Sequence, residues 1–416
     1  AGYCGHNAVR TWVMGGEATE RVANDDEIAA MQALVKEALE AGAAGFSTTG
    51  FAGHVGAGGV PMPSRIADER EMRALVGVLG EVGRGVFSIS PGPKHTVAFL
   101  ESLAAETGRP VVYEGLVHDP VAPERCFKNM ESIAQAQARG RPVYAQVCAN
   151  PITMGFPLTR AYPFEGLEAW KPAHARYGNE EALAELYRDP GFRAAVKKEL
   201  ATPGKKRRLF SNQWDHLTVE IVARPENQYL EGHNVEKLAA AEGKEPFDWF
   251  LDFALLEDLE TRFCAELLNY DEDQVEILLK APYGHPALSD GGAHLGMLCD
   301  AGYGLHFLGH WVRERGAFSL AEAVRKLTGV PAEVYGIADR GRIAAGAFAD
   351  LFLFDPETVA RGPKYIVHDL PARAARVTTD GIGVHGVWVN GQRIVDQNGL
   401  IESEARPGKL LREFST

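Results

Sequence analysis

The stretch NDDEIAAMQALVKEALEAGAAGFSTT, residues 24–49, spells one helix and one strand in succession. Asn24 or Asp25 can cap the helix, and Ile28, Met31, Leu34, Val35, Ala38 and Leu39 recur at helical spacing. Gly42 stops it, and Gly45-Phe46-Ser47-Thr48-Thr49 follow as a short strand. The unit returns as Asp68 to Glu81 with Val86-Phe87-Ser88-Ile89-Ser90, and as Thr96 to Glu106 with Pro110-Val111-Val112-Tyr113-Glu114. A fourth copy is Pro123 to Arg139 with Pro142-Val143-Tyr144-Ala145-Gln146-Val147. Successive helix–strand units predict an α/β fold with a parallel sheet, and their regularity suits a (β/α) TIM-type barrel better than an open doubly wound sheet.

A second stretch, LSDGGAH at 288–294, carries the chemistry. An apolar approach through Ile277, Leu278, Leu279, Ala287 and Leu288 ends in an acid, two glycines and a histidine. It reads as a buried strand delivering Asp290 to its carboxyl end, with an ordinary Asp-Gly turn as the plainer alternative. A carboxylate there can serve a metal-bound water as general base and then protonate a leaving amine. Glu114, at the end of its own strand, is the other inward-facing acid, with a loop carboxylate as its alternative.

Between these landmarks the alternation lapses. Residues 150–205 are broken by Pro151, Pro157, Pro163 and Pro172, and a long irregular loop of this kind covers the active site in barrel enzymes. Strands are expected at Arg208 to Ser211 and Thr218 to Val222, a helix from Pro246 to about Leu268, and another from Asp273 to Lys280. Ser319 with Glu322 forms a capping box for a helix to Leu327. The tail turns β-rich at 342–354 and 384–395, with Asn390-Gly391 as a hairpin turn. The expected division is a barrel over 1–335 and a C-terminal β-sandwich portion over 336–416, whose few strands need partners from elsewhere.

Composition narrows the function. The chain has 416 residues and a net charge of -13, which argues against a nucleic-acid surface. Its one basic cluster, Lys205-Lys206-Arg207-Arg208, reads as a solvated loop. Five scattered cysteines without a CxxC pair look like reduced thiols of a cytoplasmic protein. No apolar run approaches a membrane helix and no signal peptide is evident, so the expected partner is a small-molecule substrate, with self-association left open. The glycines of 53–59 lack the Lys-Ser/Thr of a phosphate loop, and Ser289 and Cys299 lack the surroundings of a nucleophile. No HxH or HExxH occurs, and His306 with His310 reads as part of a packed helix.

With these motifs in place, the chain resembles the D-aminoacylase / N-acyl-D-amino-acid deacylase branch of the amidohydrolase superfamily. The likeness rests on GHNAVR at 5–10, EAGAAGFST at 40–48, LSDGGAH with Cys299-Asp300-Ala301 and His310-Trp311, Asp339-Arg340-Gly341-Arg342-Ile343 through Gly346, and Ala349-Asp350-Leu351. The resemblance implies a metal-dependent barrel with a small β-sandwich built from both chain ends. It implies a divalent cofactor, zinc first, and hydrolysis of an amide next to a D-configured amino acid. Asp290 matches the family's catalytic, metal-binding aspartate. His6, Arg10, Gln146, Asn269 and His294 become candidate substrate-binding or supporting residues.

Two departures stand out. The family's HxH metal ligands precede the GHxxxR segment, so the first strands of the barrel are expected to be missing here. Where relatives place metal-binding histidines at later strand ends, this chain has Ser88-Ile89-Ser90 and Tyr113-Glu114-Gly115, leaving Glu114 as a substitute ligand. The expected activity is deacylation of N-acyl-D-amino acids. The alternatives are hydrolysis of a cyclic amide or carbamate, or a non-catalytic barrel that binds a ligand or partner. Because a barrel without its first strands has unpaired edges, the chain by itself is expected to show little or no activity and marginal stability.

Overall fold

The computed structural model describes residues 2–56, 60–202, 208–293 and 295–412. Strand β1 (Tyr3–Gly5) runs directly into α1 (His6–Met14). Four helix–strand units follow: α2 (Asp25–Glu40) and β2 (Gly45–Thr49), α3 (Glu69–Val82) and β3 (Val86–Ser90), α4 (Val97–Thr107) and β4 (Val111–Leu116), α5 (Glu124–Ala138) and β5 (Val143–Cys148). The helices begin where the sequence supplies acceptors for their free amides. Asn24 and Glu27 form a reciprocal capping box, while Asp68 and Thr96 each accept from the third helical amide.

After β5 the chain builds an antiparallel sheet from β6 (Ile152–Pro157), β7 (Leu217–Ile221) and β8 (Arg262–Leu268), with β8 in the centre. It then returns to the parallel sheet as β9 (Gly284–Ala287), alongside β5. The parallel strands stand in the order β1-β2-β3-β4-β5-β9. That order follows the chain without reversal, which is the wall of a TIM-type barrel; a doubly wound sheet reverses at a switch point. Outward side chains such as Phe87, Ile89, Val111 and Ala145 share one core with Val35, Leu39, Leu75 and Leu79 of the surrounding helices. On the concave face Val86 and Val112 meet Val330 and Val334 of the helix Gly329–Tyr335.

The sheet between β5 and β9 has a separate aromatic core. Phe164 lies at its centre, with ring centroids 4.7 Å from Phe210, 4.9 Å from Trp170 and 5.5 Å from Phe250. Here the sequence expectations need correction. The stretch 150–205 holds β6 and the helices Glu180–Arg188 and Pro190–Leu200, and Arg208 to Ser211 forms no strand. The helix from Pro246 ends at Leu256, because Asp258 and Leu259 take positive φ of 56° and 63°. Residues 262–268 then alternate buried and half-buried with the period of two that marks a strand. Ile277, Leu278 and Leu279 belong to the helix Glu272–Lys280, capped by Asp271, so the strand leading to Asp290 is β9 alone.

The C-terminal portion adds β10 (Leu351–Phe354), the hairpin of β11 (Ala360–Val367) and β12 (Arg376–Ile382), then β13 (Val384–Val389), β14 (Gln392–Asp396) and β15 (Gly399–Leu400). Residues 342–350 are irregular apart from one turn, so the β-rich run expected over 342–354 narrows to β10. Asn390 and Gly391, at φ 49° and 83°, make the tight turn between β13 and β14. One sheet runs β10-β13-β14-β15, and at its edge Leu351, Phe352 and Leu353 face outward. The β11–β12 hairpin forms its own two-stranded sheet, which the sequence reading missed. Ser319 and Glu322 form the expected capping box.

Candidate active site

Asp290 sits in the loop that leaves the carboxyl end of β9. Leu288 and Asp290 both adopt left-handed backbone, with φ of 76° and 43°. At Leu288 such a conformation costs about 1–3 kcal/mol and persists only where the surroundings over-determine it, whereas an aspartate tolerates it better. Three backbone ties hold this loop: the Asp300 amide donates to the Ser289 carbonyl at 2.6 Å, the Ala293 amide to the Asp290 carbonyl at 3.0 Å, and the Gly291 amide to Ser289 Oγ at 3.4 Å. Beneath it lies Cys148 at the end of β5, whose thiol is pushed up to about 12 by burial first, then by the charges of Asp300 and Asp290. A thiol held so firmly protonated is inert. His294 lies outside the described residues.

The side chain of Asp300 is locked from the C-terminal portion. Lys364 Nζ donates to its Oδ1 at 2.7 Å and Arg361 Nη1 to the same oxygen at 3.3 Å. Lys364 also donates to Thr153 Oγ1 at 2.9 Å, so one ammonium ties the acid-bearing loop to the start of β6.

Glu114 stands at the end of β4 facing β3. Ser90 donates to its Oε2 at 2.7 Å and Ser88 donates to its Oε1. The Tyr3 and Tyr335 hydroxyls bond to each other nearby, and burial raises both phenols. Gln146 is half-buried on β5, in register with His285 of β9.

His6 and Arg10 lie in packed surroundings at the end of β1. His6 bonds Thr48 Oγ1 through Nδ1 and Glu71 Oε1 through Nε2, both at 2.8 Å. Arg10 Nε donates to the same Glu71 oxygen at 2.9 Å, and its Nη2 to the Arg21 carbonyl at 2.8 Å. Burial alone would raise the Glu71 carboxyl, but the His6 and Arg10 bonds and charges outweigh it and hold it below its ordinary range. A His and an Arg one turn apart on α1 thus fasten α1 to β2 and α3.

Asn269 joins three strand ends. Its amide donates to the His118 carbonyl at 2.9 Å while its Oδ1 accepts from the His118 amide at 3.1 Å. Its Nδ2 donates to the carbonyls of Cys148 at 2.8 Å and Asn150 at 3.0 Å. Its φ of 64° is one that asparagine tolerates better than most residues.

His306 and His310 stack at 4.9 Å on a helix that turns into a π-helix over Phe307–Glu314. Burial, then Arg361 and His310, lower His306 to about 3. Trp311 Nε1 donates to the Ala149 carbonyl at 2.6 Å, so this helix is packed, as its flanking residues imply.

A zinc centre needs several imidazole, thiolate or carboxylate donors converging on one point. Among the described residues no group of three or more His, Cys, Asp or Glu does so. Glu114 has both oxygens engaged by serine hydroxyls, which argues against the ligand role expected for it. The described residues therefore do not fit the metal. Asp300, Arg361 and Lys364 escaped the sequence reading as site residues because Lys364 lies 211 positions from Thr153 and in no motif.

Known proteins are similar to this chain over most of its length. The sequence signature of the amidohydrolase family covers residues 1–395. A D-aminoacylase of Alcaligenes xylosoxydans xylosoxydans is 27% identical over 412 residues, 98% of this chain and 69% of that protein. An N-acyl-D-glutamate deacylase of the same organism is 40% identical over 105 residues, 25% of this chain and 19% of its own length. The crystal structure of a D-aminoacylase superposes with a TM-score of 0.57 at 23% identity, covering 96% of this chain and 69% of that one. An N-acyl-D-glutamate deacylase from Bordetella bronchiseptica, complexed with zinc and a phosphonate inhibitor that mimics the tetrahedral intermediate, gives 0.60 at 23% identity over 99% and 71%. At such identities the two structures speak for the fold alone.

Proposed function

This chain belongs to the amidohydrolase family and is a hydrolase of carbon–nitrogen bonds other than peptide bonds, and on that premise we propose that it deacylates N-acyl-D-amino acids with Asp290 as the proton-transferring carboxylate. Amide hydrolysis needs a base to activate water and an acid to protonate the departing nitrogen, and one carboxylate can do both in turn. The observation that carries the reading is the seat of Asp290: just past the carboxyl end of a barrel strand, where this fold holds its chemistry, in a loop whose Leu288 is held in left-handed backbone.

The zinc-bound deacylase of the same fold makes a divalent metal the cofactor to supply in the test, although the described donors do not by themselves assemble its site. When bound, such an ion polarises the carbonyl and acidifies water. No step is assigned to it here, since the described donors do not converge. The five free cysteines support a cytoplasmic location. Glu114, closed off by Ser88 and Ser90, favours a second reading, a barrel that binds a small ligand without turning it over.

The test is amine release from a panel of N-acetyl-D-amino acids, their L-forms and cyclic amides, using protein supplied with zinc. Asp290→Asn is expected to lower turnover by about 10²–10⁴-fold while the melting temperature holds. Undiminished turnover removes Asp290 from its role. Ring opening without deacylation moves the substrate to cyclic amides, and binding without turnover of any substrate supports the ligand-binding barrel.

A further inference from the structure

The loop from Leu288 to Asp300 holds two non-glycine residues in left-handed backbone, and its ends are joined by the bond from the Asp300 amide to the Ser289 carbonyl. Whatever fixes Asp300 therefore fixes the residue immediately before Asp290. Asp300 is buried, and its carboxylate is gripped by Lys364 and Arg361 of β11. Gly302 makes room for that grip, since a Cβ there would stand 2.5 Å from Arg361 Cγ.

The hairpin carrying these cations is itself anchored. The Val377 amide of β12 donates to the Leu295 carbonyl at 2.8 Å, inside the acid-bearing loop. Arg313 of the π-helix donates to the Val359 carbonyl at 2.6 Å, and that carbonyl lies so close to Gly309 that a Cβ would meet it at 2.4 Å. A helix with the wider π spacing and a glycine at this point lets the start of β11 approach.

We infer that Asp300, clamped by Lys364 and Arg361, is a positioning residue that holds Asp290 at the mouth of the barrel, and that the β11–β12 hairpin is the strap that delivers the clamp. This rests on the assignment of Asp290 as the proton-transferring group. The left-handed loop relaxes when the clamp is removed, and the carboxylate of Asp290 then leaves its place without any change in the residues that touch substrate.

The experiment compares wild type with Lys364→Met, Lys364→Arg and Asp300→Asn by amide hydrogen exchange and by steady-state kinetics. Lys364→Met and Asp300→Asn are expected to speed exchange at residues 289–300 by about tenfold, with the barrel helices unchanged. They should lower kcat by about ten- to a hundredfold with KM nearly constant. Lys364→Arg keeps the charge and should restore both. Unchanged exchange in the loop overturns the inference, as does a loss of protection spread evenly over the molecule, which would mark the clamp as merely structural. Exchange is readable in a protein without activity, so the failure of this inference is separable from the failure of the Asp290 assignment, which Asp290→Asn alone decides.

Discussion

Arg10 and Glu71 form an ion pair closed to solvent, with Nε of Arg10 2.9 Å from Oε1 of Glu71 and neither side chain exposed. The pair gains its strength from the bonds that satisfy the remaining donors of Arg10, because desolvating two charges otherwise cancels their attraction. Removing one partner leaves an uncompensated buried charge. Arg10→Met is expected to cost about 3–5 kcal/mol of folding free energy, read from the urea midpoint.

The same pair sets an acid limit. Glu71 is held below its ordinary range in the folded chain and returns to it on unfolding, so the unfolded state binds the proton first. Its contribution to stability is present above the ordinary carboxylate pKa and is lost as the pH falls through the folded value. Urea midpoints of wild type and Glu71→Gln, taken from pH 6 down to 3, should converge as the acid end is approached.

At the amino end of β9, Lys326 gives a dependence of the same sign in the alkaline range. Its ammonium donates to the carbonyls of Ala281 at 3.0 Å and Gly284 at 2.9 Å. Burial, and next the charge of Arg325, lower it to about 8. The folded chain thus releases this proton before the unfolded one, whose lysine titrates near 10.4, and stability rises with pH between those values. Relative to Lys326→Met, wild type should gain stability from pH 8 to 10; a constant difference would contradict the shift.

Asn269 predicts a cost out of proportion to its size. Asn269→Ala leaves the buried carbonyls of Cys148 and Asn150 and the His118 amide without their partners, at about 1–3 kcal/mol for each group. A total loss above about 3 kcal/mol is expected. Asn269→Gly, which accepts the positive φ, should recover only the backbone share.

The aromatic core between β5 and β9 should fail separately. Phe164→Ala removes a fully buried ring from the midst of Trp170, Phe210 and Phe250, at about 3–5 kcal/mol. Trp170, Trp214 and Trp249 report on this core, whereas Trp311 lies in the core of the barrel. Fluorescence should therefore show an early transition from the first three tryptophans in this variant and a later one from Trp311.

Much of the barrel was legible because each unit carries its own local instructions. Asn24 with Glu27, Asp68 and Thr96 start helices by side-chain capping, and the strands that follow are short and apolar. Those signals act within a few residues. The β6–β7–β8 sheet was not legible because β6 and β8 pair across more than a hundred residues, and the amphipathic run after Pro246 reads equally as helix until Asp258 and Leu259 turn it. Asp290 stood out through its glycine-rich context. The clamp did not, since Asp300, Arg361 and Lys364 acquire their relation only through tertiary packing. His6 and Arg10 stood out through their motif, and in the structure their bonds fasten α1 to its neighbours.

The outward-facing edge of β10 bears on how the folded chain behaves in a crowded solution. Leu351, Phe352 and Leu353 are 38%, 42% and 52% exposed on a strand with backbone groups free on one side. A strand edge of this kind is a template for pairing with another strand, and the folded chain presents it without any unfolding.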